Sequence, residues 1–327
     1  MLSYIITIFP IFMTYYNMDI YQIILNLLPI RMQFNLILVS RLFYENLFIT
    51  KINNLCRSIS NTILIPYKYI THLEIENIAT VTNITQLKHL RILNISGSCG
   101  VDQKGIAGLI NIEKLNVFNN KLIRNVAFMK KLKVLDAQFS IINQKGIRGL
   151  DLIELYASEK INDVSWMTNL KILHANYAIS QNSINGLNLV ELDMFNNKKI
   201  VDVSHMSDLL VLNIGKAYGV TQNGIKNLCK VVKLVAYDNY NINDVSYMTN
   251  LQTLDISGTC GVNQDGIKNL NLTELNASGN YKIRYVTHMT NLRSLNAGFT
   301  CGINKEGMVG LTNLTSLISW GNISLFN

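Results

Sequence analysis

Leu251-Gln252-Thr253-Leu254-Asp255-Ile256 is one copy of a phrase that this chain repeats almost from end to end. Two leucine-like residues stand three apart, and a third follows two positions later. The phrase returns as Leu90-Arg91-Ile92-Leu93-Asn94-Ile95 and as Leu189-Val190-Glu191-Leu192-Asp193-Met194. Its fourth position falls at residues 73, 93, 115, 135, 155, 173, 192, 212, 234, 254, 275, 295 and 317, with gaps of 18 to 22. One leucine-rich hexamer carries no weight, but thirteen in register specify a strand stacked on copies of itself. Side chains alternate along a strand, so the leucines face the core and the residues between them face outward. Each coil buries itself only on its neighbours. A chain of 327 residues therefore needs no single large core.

The L-x-x-L-x-L phrase at this period is similar to the strand of leucine-rich-repeat proteins. The resemblance implies an α/β solenoid: a curved parallel sheet of about 13 short repeats over residues 70–322, followed by a tail at 323–327. Two phrasings alternate, so the true unit is a pair of about 40 residues. The longer, as in Val262-Asn263-Gln264-Asp265-Gly266-Ile267-Lys268-Asn269-Leu270, predicts a capped helical turn or two, with Ile267 and Leu270 facing inward. The tighter, as in Ile161-Asn162-Asp163-Val164-Ser165-Trp166-Met167, has room for a 3₁₀-like turn. Asn120, Asn197, Asn239 and Asn280 share one step of the tighter repeats and are expected to form a ladder to neighbouring backbone.

A solenoid offers a long surface rather than a catalytic pocket, so the outward columns are the candidate site. One column runs through Asp136, Tyr156, His174, Asp193 and Asp255, with asparagines and Val235 between. A second carries Phe118, Phe195 and Tyr237 among serine, glutamine and glycine. A third offers Lys114, Glu154, Glu191, Lys233 and Glu274. Polar columns with spaced aromatics suit protein recognition, because aromatics supply anchoring area. The partner is expected on this concave face.

Composition narrows the class. The formal charge is +8, but no block of five or more Lys/Arg occurs, which fits a solvated basic face better than a nucleic-acid site. No phosphate-binding glycine loop, nucleophile elbow or zinc-protease motif is present, and the histidines at 72, 89, 174, 205 and 288 are scattered. His205 and His288 read as solvent-facing turn residues. No enzyme, cofactor or metal is expected. Cys56, Cys99, Cys229, Cys260 and Cys301 form no C-x-x-C. Cys260 and Cys301 are two coils apart, roughly 10 Å at about 4.8 Å per strand, beyond the ~7 Å between Cα atoms that a disulfide spans. They are expected to be buried thiols in a reducing, cytoplasmic compartment.

The N-terminal texture differs. Residues 1–17 are apolar and uncharged, but lack a basic start and a small-residue cleavage site. They are expected to be a lead-in; a targeting or anchoring segment, in a secreted or membrane-bound recognition protein, stays open as the alternative. Residues 18–48 have helical spacing, and 49–69 are expected to link them to the repeats. The stretch resembles an F-box through Ile23, Ile24, Leu28, Pro29, Leu36, Leu38, Val39, Ser40, Arg41 and Phe43. It departs at Tyr16-Asn17, at Met32-Gln33 and in having Phe43 where the family has tryptophan. The F-box resemblance implies a helical cap that docks on the adaptor subunit of SCF-type ubiquitin ligases, with Pro29, Leu38, Val39 and Phe43 at or beside that contact. The Asn- and Ile-rich repeats are similar to those of leucine-rich-repeat proteins of giant DNA viruses of amoebae, which implies host cytoplasm. A plain scaffold with no ligase link is the other reading of the same residues.

Overall fold

The computed structural model describes residues 51–52, 69–175 and 177–325. The lead-in, the F-box-like stretch with Pro29, Leu38, Val39 and Phe43, and Cys56 lie outside the described residues. The chain divides into two compact units, Met1–Leu132 and Lys133–Asn327.

The first unit contributes β1 (Lys51–Ile52), β2 (His72–Glu74), β3 (Ile92–Asn94) and β4 (Lys114–Asn116). The second contributes β5 (Val134–Asp136), β6 (Glu154–Tyr156), β7 (Ile172–His174), β8 (Glu191–Asp193), β9 (Val211–Asn213), β10 (Lys233–Val235), β11 (Thr253–Asp255), β12 (Glu274–Asn276), β13 (Ser294–Asn296) and β14 (Ser316–Ile318). Within each unit successive strands pair in parallel. The central leucines lie side by side, Leu73 on Leu93 and Leu93 on Leu115 in the first, Leu234 on Leu254 and Leu254 on Leu275 in the second. From Leu73 to Leu317, the fourth residue of every copy of the phrase is the middle residue of a strand. One strand precedes them: Lys51-Ile52, in the stretch expected to be a linker, pairs with β2.

The strands are short because the apolar code changes period immediately after them. Leu254 is buried between the outward Thr253 and Asp255. Beyond each strand, buried residues recur every third position, as in Ile242, Val245, Met248 and Leu251. A spacing of three fits a string of tight turns, and Met248 N donates to Val245 O and Leu251 N to Met248 O. Full burial of one such side chain is worth about 1.5–3 kcal/mol.

The longer phrasing forms less helix than its pattern predicts. Among the described residues there is no α-helix. The longer phrasing makes one 3₁₀ turn, at Gln144–Ile147, Gln181–Ser183, Gln222–Ile225, Asp265–Ile267 and Glu306–Met308, and the tighter phrasing makes hydrogen-bonded turns only. The glycine inside the turn shows why. A Cβ on Gly266 would stand 2.3 Å from Asn243 O, so the turn is pressed against the preceding coil. Extending it into a wider helix would need that space. The expected caps form where asparagine or aspartate is present: Asn143, Asn263, Asn304 and Asp102 each accept from the N–H three residues on.

Two polar ladders tie coil to coil. Asn239 Nδ2 donates to Ile214 O and Ala217 O, both at 3.2 Å, while its Oδ1 accepts from Asn241 N. Asn120, Asn197 and Asn280 likewise donate Nδ2 to backbone of the preceding coil, and Asn322 extends the set. The second ladder is glutamine. Gln264 Oε1 accepts from Arg284 N and Tyr285 N, and its Nε2 donates to Tyr285 O at 2.8 Å. Gln103, Gln144, Gln181 and Gln222 grip the next tight turn through the same bonds. These satisfy buried or turn-end backbone groups that the short strands leave over.

The end of the second unit differs. Leu317, expected in the core, is 44% exposed, and Ile318 and Trp320 are exposed beside it, with no further strand packed on β14 among the described residues.

Candidate recognition face

All thirteen side chains expected to meet a partner reach solvent. Lys114, Phe118, Phe195, Lys233 and Glu274 are exposed; Asp136, Glu154, Tyr156, His174, Glu191, Asp193, Tyr237 and Asp255 are half-buried. Lys114 and Phe118 belong to the first unit and the others to the second.

The column through Asp136 and Asp193 has a structural duty. An Asn or Asp just after the central leucine folds one side-chain oxygen back onto the N–H two residues on. Asp136 holds Gln138 N at 3.1 Å, Asp193 holds Phe195 N at 2.9 Å and Asp255 holds Ser257 N at 3.0 Å. Asn94, Asn116, Asn213, Asn276 and Asn296 repeat the bond. The bond turns the chain out of the strand. Three residues after that Asn or Asp the backbone enters the left-handed region, where Asn, Asp and Gly are cheapest. That step is left-handed at Asn77, Gly97, Asn119, Asn196, Asp238, Gly258, Gly279 and Gly321, and also at Phe139, Lys216 and Phe299.

Coils β6 and β7 break both rules. Leu155, Leu173 and Leu192 are 18 and 19 residues apart, against 20 to 22 elsewhere. The strands end on Tyr156 and His174 instead of Asn or Asp, and Glu159 and Tyr177 replace the left-handed step. Ser158, buried, takes the place of the ladder asparagine and donates to Ile142 O.

The two substituted side chains come together. The rings of Tyr156 and His174 stand 4.1 Å apart, centroid to centroid. His174 Nε2 lies 3.3 Å from Glu191 Oε1, and Nδ1 lies 3.6 Å from Asp193 Oδ2. Partial burial raises the Asp136 carboxyl above its usual range, opposed by its bond from Gln138 N and by the nearby His174. Burial, and then the hydrogen bond and charge of Glu154, push the Tyr156 phenol up, so it remains a donor at neutral pH.

The sign of this face opposes the sign of the chain. Of the two outward residues on each strand from β5 to β14, six are carboxylates (Glu154, Glu191, Glu274, Asp136, Asp193 and Asp255) and one is a lysine, Lys233. The whole chain is +8. Most of that charge lies in residues 1–132; residues 133–327 carry 16 Lys/Arg and 15 Asp/Glu, so off these strands 15 Lys/Arg face 9 Asp/Glu and the positive charge of this unit sits away from the sheet face.

An aromatic group flanks the face. Phe195 and Tyr237 stack at 5.7 Å and 20°, and Lys216 Nζ sits 5.3 Å from the Tyr237 ring centre. Tyr218 and Tyr240 stack at 5.2 Å, with Lys198 Nζ 5.9 Å from Tyr218. Lys216, Tyr218 and Tyr240 lie beyond the strand columns, so the period-two pattern of the strands passes over them. Their signal is a bulky residue in a turn that other coils fill with small or polar ones.

The scattered histidines also find places. Trp166, His205, Tyr247 and His288 share one step and approach the preceding coil at Leu150 O, Ile184 O, Ile225 O and Ile267 O, at 2.9 to 3.3 Å. A carbonyl can only accept, so His205 and His288 carry their hydrogen on Nε2. Both stay exposed, yet they anchor backbone. Among the described residues no group of three or more His, Cys, Asp or Glu could hold a metal, and no helix is long and apolar enough to cross a membrane. Cys99, Cys229, Cys260 and Cys301 are free thiols, all buried except Cys229.

No protein-family model and no curated protein matches the chain. Solved structures do. An internalin, InlF, from Listeria monocytogenes is similar at 21% identity and a TM-score of 0.51, over 79% of this chain and 76% of that one. The functional domain of InlJ from the same organism, which includes a cysteine ladder, is similar at 19% identity and a TM-score of 0.55, over 78% of this chain. The chain spans 58% of the length of InlJ in that structure. With the parallel coils and the leucine register, this likeness makes the fold that of a leucine-rich-repeat solenoid.

Proposed function

We propose that this chain is a non-catalytic recognition protein that holds a basic protein partner on the exposed sheet face of residues 133–327. The observation that carries this is the charge segregation: six carboxylates against one lysine on the strands of a unit whose 16 Lys/Arg and 15 Asp/Glu otherwise nearly cancel. Complementary charge steers encounter and fixes register, while aromatic anchors such as Phe195 and Tyr237 supply area.

The finer proposal is that residues 18–48 act as an F-box, delivering the bound target to an SCF-type ubiquitin ligase in the cytoplasm of a host cell. The support is the sequence resemblance at Pro29, Leu38, Val39 and Phe43 and at the virus-like repeats. Ubiquitin transfer would be the ligase's work, so no catalytic side chain is needed in this chain.

Affinity purification with the full chain from amoebal cytosol tests both parts. Tyr237→Ala with Glu274→Lys should lose the target and keep the ligase adaptor. Val39→Ala with Phe43→Ala should lose the adaptor and keep the target. Target capture unaffected by the first variant would end the sheet-face proposal. A folded chain that never retains the adaptor would leave the plain scaffold in its place.

A further inference from the structure

The two short coils open a cavity of about 270 Å³ beside the sheet face. Its walls include the rings of Phe139, Tyr177 and Phe195, with His174, Asp193 and Glu159 among them. The hollow has a simple cause. In coil β6 the chain passes from Ala157 through the buried Ser158 to Glu159, two residues short of its neighbours, so no outward ring fills the column between Gln138 and Phe195.

Phe139 is, with Lys216 and Phe299, one of three bulky residues at the left-handed step. Its φ is +55°, at the step that Asn77, Asn119 and Asn196 occupy in other coils. A bulky side chain in that region is strained, and this ring is 55% exposed. Tyr177 and Phe195 are also exposed, at 50% and 43%. Three exposed aromatic walls make an apolar site, and the polar groups are acidic: Asp193 on the sheet side and Glu159, which hydrogen-bonds Tyr177, on the other. His174 already lies between Glu191 and Asp193.

We infer that this cavity is the socket for one cationic side chain, arginine or lysine, of the protein partner. Aromatic faces attract a desolvated organic cation, and carboxylates at the rim pair with its charge. An anion would meet two carboxylates, and a neutral apolar group would make no use of their charge. The inference deepens the sheet-face proposal and names the anchor of its basic partner.

The test uses the full chain with methyl-labelled alanine, because Ala157 and Ala175 line the cavity. N-acetyl-arginine amide and N-acetyl-lysine amide should shift these two methyl signals saturably in the millimolar range. N-acetyl-citrulline amide, the neutral shape-mate of the arginine probe, should bind at least tenfold more weakly. Asp193→Asn keeps the bond to Phe195 N and removes the charge; it should weaken both cations at least fivefold. Phe139→Asn should weaken them similarly while melting no lower than the parent, since asparagine suits the left-handed step. Equal binding of citrulline, undiminished binding by Phe139→Asn, or no saturable shift would each overturn the inference. These measurements need no target, so their failure leaves the sheet-face proposal to its own test.

Discussion

Phe195 and Tyr237 stack face to face although an entire coil separates their strands, and Gly215 of that coil is what lets them meet. A Cβ on Gly215 would lie 2.6 Å from Tyr237 Cδ1. The glycine opens a slot, and the rings close over it from either side. Gly215→Ala should therefore push Tyr237 aside and part the pair, at a cost of about 0.5–1.5 kcal/mol. The outcome to look for is a small loss of stability by urea unfolding with a larger loss of target capture. An unchanged Tyr237 ring environment by NMR would contradict the slot.

The Asn ladder is the costlier place to cut. Asn239 is fully buried and serves two carbonyls and one N–H of two coils. Alanine would leave those groups without partners in a dry interior, at about 1–3 kcal/mol for each group orphaned. Asn239→Ala should be among the most destabilising polar substitutions in the second unit. Glu274→Lys, on the exposed sheet face, should fall within about 0.5 kcal/mol of the parent. Chemical denaturation of both variants checks the contrast.

What was legible in the sequence is what repeats with a fixed period. Leu254 could be placed between Leu234 and Leu275 because a leucine at every coil admits one stacking register. Asn239 was legible as a ladder residue because polar residues recur at a step where the chain turns inward. Gln264 was not. It sits beside its true turn cap, Asn263, and its own partners are Arg284 and Tyr285, reachable only once coil is laid on coil. Asp193 shows a different gap. Its outward position was legible, but not that one oxygen is committed to Phe195 N, so the column mixes a backbone duty with a surface. Tyr156 and His174 gain meaning from that duty, as residues that abandon it. Phe139 could have been found as one of two aromatics, with Phe299, at a step held in most other coils by Asn, Asp or Gly.

Asp136 ties pH to stability. Burial raises its carboxyl above the unfolded value, so the folded state binds the proton more tightly than the unfolded chain does. Stability is then fully present below the unfolded carboxylate range and falls as pH rises through the raised folded value. Asp136→Asn keeps the bond to Gln138 N, since asparagine makes it at Asn116 and Asn213. The variant should melt higher than the parent at pH 7, and the gain should vanish toward pH 3. If the sheet face takes a basic partner, the same variant should bind it more weakly. A lower melting point at pH 7 would mean that the fold stabilises the carboxylate, the opposite of what burial alone imposes.

The thiols test the coil register independently. Cys99, Cys260 and Cys301 occupy one step of alternate coils, each followed by a glycine pressed on the coil before it. At Gly261 a Cβ would come within 2.5 Å of both Tyr240 O and Ile242 O. Burial pushes the Cys99 and Cys260 thiols up to about 11 and raises Cys301 as well. Since the thiolate is the nucleophile, these three should resist iodoacetamide at pH 8 for as long as the coils stay closed. Cys229, exposed, should react at once. Mass spectrometry of native and denatured protein should therefore show one fast site among these four and three that appear only on unfolding. A Cys260–Cys301 disulfide, or three sites that label as fast as Cys229, would place these residues somewhere other than the interior of stacked coils.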